Sequence, residues 1–365
     1  MAAKRIDGLD AIRGICAIAV VAMHSRFLTQ IDPAPSAYLM VDIFFAMSGY
    51  VMAMVYGERL RGGGYFLAFV ERRWTRLVPM WAVGLAVGAL TALVFQRHHW
   101  PALLSPIFSF AAGLVFFPVP VAPDLFPYNS PGWSLFYEAL ANLAFALSAP
   151  LLSRKTLSAV ILIAAAALIA LVVHYGSAGG GRTWSEAPVA LARVAFSFSV
   201  GLLFYQERAR FASVRIPPAL FWTAMIAIGL VAAANPHGNA RVLFDLGFIL
   251  IGCPLVLLLG VRAVVGAPGL ARLLGDISYP LYATHFAFML TIFFLHGALL
   301  HWRTNVVSLP IALAAIVALI GLAWILARFI DRPIEERLRR LLGRTPVHFR
   351  GPENPSSAPN DISGV

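Results

Sequence analysis

Long apolar runs alternate with short polar stretches along this chain, and that alternation dominates any reading of it. A helix needs about 20 mainly apolar residues to cross hydrocarbon. Runs at about 11–28, 38–56, 76–96, 133–152, 157–174, 188–205, 218–234, 243–260, 279–299 and 307–329 meet that need. One further apolar piece, near 104–117, is shorter and is bounded by Pro101, Pro106, Pro118 and Pro120. The pattern predicts an all-α fold, a polytopic membrane bundle of about ten transmembrane helices. Residues 5–335 form one membrane domain, and 346–365, polar and rich in Pro and Ser, read as a disordered cytoplasmic tail.

Composition supports the same class. Of 365 residues, 60% are hydrophobic and 12% charged, against about 25% charged in an ordinary soluble domain. Mean hydropathy is +0.79. Lysine and arginine outnumber the acids 28 to 17. In a soluble protein that excess would suggest nucleic acid, but basic residues of membrane proteins collect in cytoplasmic loops, so no nucleic-acid partner is expected. Lys4 and Arg5 precede the first apolar run, yet Asp7, Asp10 and Arg13 interrupt it and no small-residue cleavage site follows. A retained first helix is expected rather than a signal peptide. Cys16 and Cys253 both lie in apolar stretches and imply neither a disulfide framework nor a metal site.

Arginine positions set the orientation. Arg59, Arg61, Arg72, Arg73 and Arg76 fall between the second and third spans, and Arg154 with Lys155, Arg208 to Arg215, Arg262 with Arg272, and Arg328 to Arg340 follow in alternate loops. Loops 29–37 and 118–132 carry no Lys or Arg. This arrangement predicts both termini in the cytoplasm and makes 104–117 a re-entrant or interfacial piece, since a full span there would invert every later loop. The charged segment DRPIEERLRRLL is amphipathic and is expected along the inner leaflet.

An ionisable residue within a span is costly and is a functional hypothesis by default. Arg13 and His24 are eleven positions apart on the first helix, so they share a face about 16 Å apart along the axis. Asp42 enters about one turn below the outer end of the second span. Glu138 lies about 7 Å deep in the span that begins at Trp133. His24, Asp42 and Glu138 are thus expected in one layer, and a carboxylate beside an imidazole makes a general base. The bland alternative is that each is a satisfied polar group joining helices. Arg73 and Arg76 are three apart and can grip a phosphate from two sides, although juxtamembrane arginines arise from the positive-inside rule alone. His285 follows Tyr282 by three on one helix and can line the same cavity. No HExxH, Walker A or GxSxG pattern is present.

The segments RIDGLDAIRGICAIAVVAMHS, VDIFFAMSGYVM (41–52), RRWTRLVP (72–79), PGWSLFYEAL (131–140) and GDISYPLYATH (275–285) resemble, in order, patterns of the acyltransferase-3 family, membrane-bound O-acyltransferases of bacterial polysaccharides and related acceptors. The resemblance implies that His24 is catalytic and that Arg13, Arg73 and Arg76 serve the acyl-CoA donor. Where the family often carries an aromatic pair after the glutamate, this chain has Ala141 and Asn142, which implies altered acceptor packing rather than lost chemistry.

The expectation is therefore an inner-membrane O-acyltransferase. Acyl-CoA, with acetyl-CoA foremost, serves as donor substrate, with no permanently bound cofactor and no metal. His24 acts as general base or acyl carrier, Asp42 or Glu138 orients it, and a hydroxyl of a surface or exported glycan or related acceptor receives the acyl group. The alternative is a secondary transporter or flippase for lipid-linked glycans, whose composition would be alike; a transporter is expected to show inverted repeats.

Overall fold

The computed structural model describes residues 5–95, 105–120, 122–300 and 308–341. Its elements are the helices α1 (Asp7–His24), α2 (Arg26–Thr29), α3 (Met40–Arg61), α4 (Phe66–Phe95), α5 (Pro106–Leu114), α6 (Gly132–Ser148) and α7 (Arg154–Tyr175). They continue with α8 (Ala187–Gln206), α9 (Pro218–Ala233), α10 (Asn239–Gly247), α11 (Cys253–Arg262), α12 (Pro268–Leu300), α13 (Leu309–Leu326) and α14 (Arg332–Leu341). Wide π-turns at Phe248–Gly252 and Ala327–Asp331 join α10 to α11 and α13 to α14 into continuous rods. No strand occurs among the described residues, only two isolated bridges, Asp124 with Thr183 and Ile216 with Ala263.

Nine of the described helices are long and apolar enough to cross a membrane, so the chain is a multi-pass membrane protein. In the spans containing α3 and α8, 67% of the most apolar window is buried, against 22% for α7 and 28% for the α10–α11 and α13–α14 rods. The first two form the interior and the others lie at the periphery of the bundle. This division explains why α3 shows no apolar stripe: every side of it meets protein. The largest contacts run α1 along α12, α3 along α8, α4 along α12 and α7 along α8. Cys16 and Cys253 are buried, unpaired core residues.

Three expected boundaries move. The span expected at 76–96 begins at Phe66, and that expected at 279–299 begins at Pro268, each passing through a proline, Pro79 or Pro280. A helix can continue through proline when neighbouring groups take up the freed backbone, and α4 and α12 pack on each other through these segments. The span expected at 218–234 forms α9, a 16-residue apolar helix shorter than the other nine. The piece near 104–117 forms α5, nine residues long and too short to cross; it docks on α4, where Trp81 Nε1 donates to Gly113 O at 2.8 Å. Residues 331–341 of DRPIEERLRRLL run on from α13 through the wide turn as α14. The tail at 346–365 lies outside the described residues.

Glycine sets the tightest crossing. A Cβ on Gly201 of α8 would lie 2.0 Å from the Ala46 carbonyl of α3, and one on Gly49 would lie 2.1 Å from Phe198 O. The α3 and α8 backbones touch, as small residues permit between membrane helices. Gly201→Ala is expected to destabilise the bundle by about 1–3 kcal/mol through overpacking. Gly229→Ala on α9, whose Cβ would meet nothing within 4 Å, is expected to be neutral or mildly stabilising. Thermal unfolding of the two variants in detergent checks the contrast.

Candidate active site

The three arginines singled out in the sequence come together. Arg13 of α1 with Arg73 and Arg76 of α4 line one cavity of about 160 Å³, whose remaining walls come from α3, α6 and α12. Glu138 and Ser48 lie in the same wall, and Val41, Phe44, Phe45, Met47, Val51 and Leu135 make much of the rest apolar. Two wider hollows of about 510 Å³ each lie on the arginine-rich face near Arg208, and neither includes the three arginines.

Each arginine has a carboxylate. Arg13 Nη2 donates to Asp10 Oδ1 at 2.8 Å, Arg73 Nη2 to Glu138 Oε1 at 3.0 Å, and Arg76 Nη1 to Asp331 at 3.0 and 3.3 Å. Glu138 also accepts from Ser48 Oγ at 2.7 Å. The wide turn between α13 and α14 carries Asp331 toward Arg76, and the Arg76 guanidinium lies 5.1 Å from the Tyr279 ring centre. One acid per arginine fixes the side chains without exhausting their donors. The Nε atoms of Arg13 and Arg73 are buried with no hydrogen-bond partner in the protein. Buried donors without a partner are rare in native structures; carried by side chains that line the cavity, they suit an anionic ligand.

His24 stands at the far end of α1. Its Nδ1 is 3.0 Å from Val20 O and 3.1 Å from Nε2 of His285 on α12. The His24 ring packs against Phe286 edge-on at 5.4 Å and is parallel to Phe27 at 6.3 Å. Between this pair and the cavity stands Tyr282, one turn from His285 on α12. Its hydroxyl is 2.6 Å from Ser134 Oγ, and its ring meets Phe44 edge-on at 5.4 Å. Of the α12 residues that line the cavity, Tyr282 is the nearest in the helix to His285.

The single layer expected for His24, Asp42 and Glu138 separates into three environments. Neither acid touches His24. Glu138 belongs to the arginine cavity, and Asp42 is fully buried against Arg193 of α8. Arg193 Nη2 donates to Asp42 Oδ2 at 2.6 Å and to Tyr38 O, its Nε to both Asp42 oxygens, and its Nη1 to the carbonyls of Ala178 and Gly180. Ser197 Oγ adds a 3.3 Å donor to Asp42. All five N–H groups of the guanidinium are thereby used. Beside this pair, Tyr38 Oη donates to Asp245 Oδ1 at 2.5 Å, and Ser177 and the Ala178 amide donate to the other oxygen.

Reading by sequence left out Arg193 and gave His285 only a minor place. Arg193 falls in the run at 188–205 and satisfies the criterion that selected Asp42, an ionisable residue at membrane depth; an acid one turn deep in one span calls for a cation at like depth in another. No comparable signal pairs His285 with His24, because nothing in sequence spacing shows that α1 and α12 lie side by side.

A family model described as an acyltransferase domain, acyltransferase-3, matches residues 6–328. "Protein 2 in picA locus" of Rhizobium radiobacter is 34% identical over 187 residues, covering 47% of this chain and 94% of that protein. No solved structure matches this chain.

The buried ion pair gives a test of Asp42. Removing one partner of a buried pair typically costs about 3–5 kcal/mol, whereas replacing both with apolar groups can be neutral. Asp42→Leu is therefore expected to deplete folded protein in membranes, and Asp42→Leu with Arg193→Leu to recover much of it. Abundance and unfolding midpoint of the single and double variants measure this.

Proposed function

The chain belongs to the acyltransferase-3 family, and we propose that it is an acyl-CoA-dependent O-acyltransferase of the bacterial inner membrane, with both termini in the cytoplasm. Acyl-CoA, with acetyl-CoA foremost, binds at the arginine-rich face, and the acyl group passes to a hydroxyl of a surface or exported glycan or related acceptor. The observation that carries this reading is the convergence of Arg13, Arg73 and Arg76 on one cavity with two buried, unpartnered Nε donors.

In this reading the donor phosphates meet the arginines, each pre-oriented by its own acid, and the apolar walls from α3 take the extended arm. Arg13 and His24 sit about 16 Å apart on one helix, a distance a long thioester arm can span. To reach His24 the thioester passes Tyr282 at the Ser134 bridge. His24 then serves as general base toward the acceptor hydroxyl or carries the acyl group itself. Glu138 acts in this scheme by orienting Arg73, and Asp42 by holding α3 to α8.

Membranes from cells expressing wild type or His24→Ala, supplied with acyl-labelled acetyl-CoA, test the reading. Free CoA release and label in glycan or lipid fractions are expected with the wild type. Loss of the base is expected to lower turnover by about 10²–10⁴-fold. Equal release from both, with both proteins folded and abundant, overturns the assignment. Arg73→Gln removes a charge-assisted contact of about 1.5–3 kcal/mol, so KM for the donor is expected to rise at least about tenfold. An unchanged KM removes Arg73 from the donor site.

A further inference from the structure

We infer that His285 is a positioning residue that holds His24 in the Nδ1–H tautomer and leaves His24 Nε2 as the reacting atom. The inference rests on the reading of His24 as base or acyl carrier, and it begins from which atoms can donate.

Backbone carbonyls only accept hydrogen bonds. His285 Nδ1 lies 3.0 Å from Leu281 O and 2.9 Å from Tyr282 O, so this nitrogen carries the proton. His285 is fully buried, and no carboxylate is within hydrogen-bond distance of it among the described residues. A charged imidazole there would lack a counter-charge, so the ring is neutral and its Nε2 is a bare lone pair. That lone pair faces His24 Nδ1 at 3.1 Å, and the other neighbour of His24 Nδ1 is the Val20 carbonyl at 3.0 Å. Both neighbours are acceptors. His24 Nδ1 therefore holds the proton, and its Nε2, which has no hydrogen bond among the described residues, holds the lone pair.

The relay gives His285 the task that a buried acid performs beside other catalytic histidines, fixing tautomer and ring orientation, but with a neutral group. An acid at this depth would need a counter-charge of its own; a second imidazole does not. In direct transfer the acceptor oxygen bonds to the thioester carbonyl carbon while Nε2 takes the hydroxyl proton. The C–S bond then breaks, and the departing CoA sulfur takes that proton from Nε2. In the acyl-carrier route Nε2 itself bonds to the carbonyl carbon as the C–S bond breaks and CoA departs as its thiolate; the acceptor oxygen later bonds to that carbon as the C–N bond breaks, and the hydroxyl proton passes by way of the freed Nε2 to the CoA thiolate. Both routes use the same lone pair, and in both the positive charge on His24 is met at Nδ1–H by His285 Nε2 and Val20 O.

Solid-state nitrogen NMR of histidine-labelled wild type in bilayers tests the assignment without substrate, so it stands or falls apart from acyl transfer. The expected result is a protonated Nδ1 and bare Nε2 on both rings, with a coupling through the hydrogen bond between His24 Nδ1 and His285 Nε2. A protonated Nε2 on either ring overturns the inference. Two variants supply the functional arm. Gln at 285 can donate its amide to the helix carbonyls while its oxygen accepts from His24, and Leu cannot accept. His285→Leu is expected to lower kcat by about 10–1000-fold with KM for the donor unchanged, and His285→Gln to retain a larger share of the rate. Equal loss in both variants, or a change confined to KM, overturns the positioning role.

Discussion

Arg193 is sealed from solvent with every N–H group engaged, and its partner Asp42 is sealed with it, because neither charge could be held in this interior without the other. The same constraint runs through the molecule: a charge at membrane depth brings its counter-charge. Arg73 brings Glu138, and Arg76 brings Asp331. These pairs tie α3 to α8, α4 to α6, and α4 to the turn between α13 and α14, so satisfying the charges is also what joins the helices. Around the Asp42–Arg193 pair the α3 and α8 backbones come close enough that glycine is required at both Gly49 and Gly201.

The functional consequence lies in where the pairing stops. The carboxylates orient the cavity arginines but leave the Nε donors of Arg13 and Arg73 unmatched, which supports the proposed donor site there. In the inferred tautomers the histidine pair obeys the constraint differently, since two neutral imidazoles and three backbone carbonyls pair at His24 Nδ1 and at both ring nitrogens of His285 with no net charge. Both regions are held by one helix pair. α1 carries Arg13 and His24, and α12 carries Tyr279, Tyr282 and His285, so the packing of α1 on α12 sets the distance between the proposed donor cavity and the proposed reacting atom.

Departures from the expected helix limits share a cause. The expected starts at 76 and 279 mark where an apolar run begins, yet α4 and α12 begin earlier and carry Glu71, Arg72 and Arg73, or Arg272 and Asp276, in helix, because charged residues end an apolar run without ending a helix. The charged run after Asp331 signals a separate surface helix. A wide turn keeps it in line with α13, and that turn brings Asp331 to Arg76.

The sequence by itself determined the class of the protein and most of its spans, and it singled out the arginines and the histidine as candidates, because a hydrocarbon surrounding makes long apolar runs and rare ionisable residues legible one at a time. It also carried the family resemblance. Depth along each helix was readable too, since rise per residue is constant. Only the tertiary structure decided partnership. It placed Asp42 on Arg193, Glu138 on Arg73 and His285 on His24, pairs separated by 151, 65 and 261 residues. Equal depth allows many pairings among ten or so helices; which helices are neighbours depends on how their surfaces fit, and that is a property of all of them packed together.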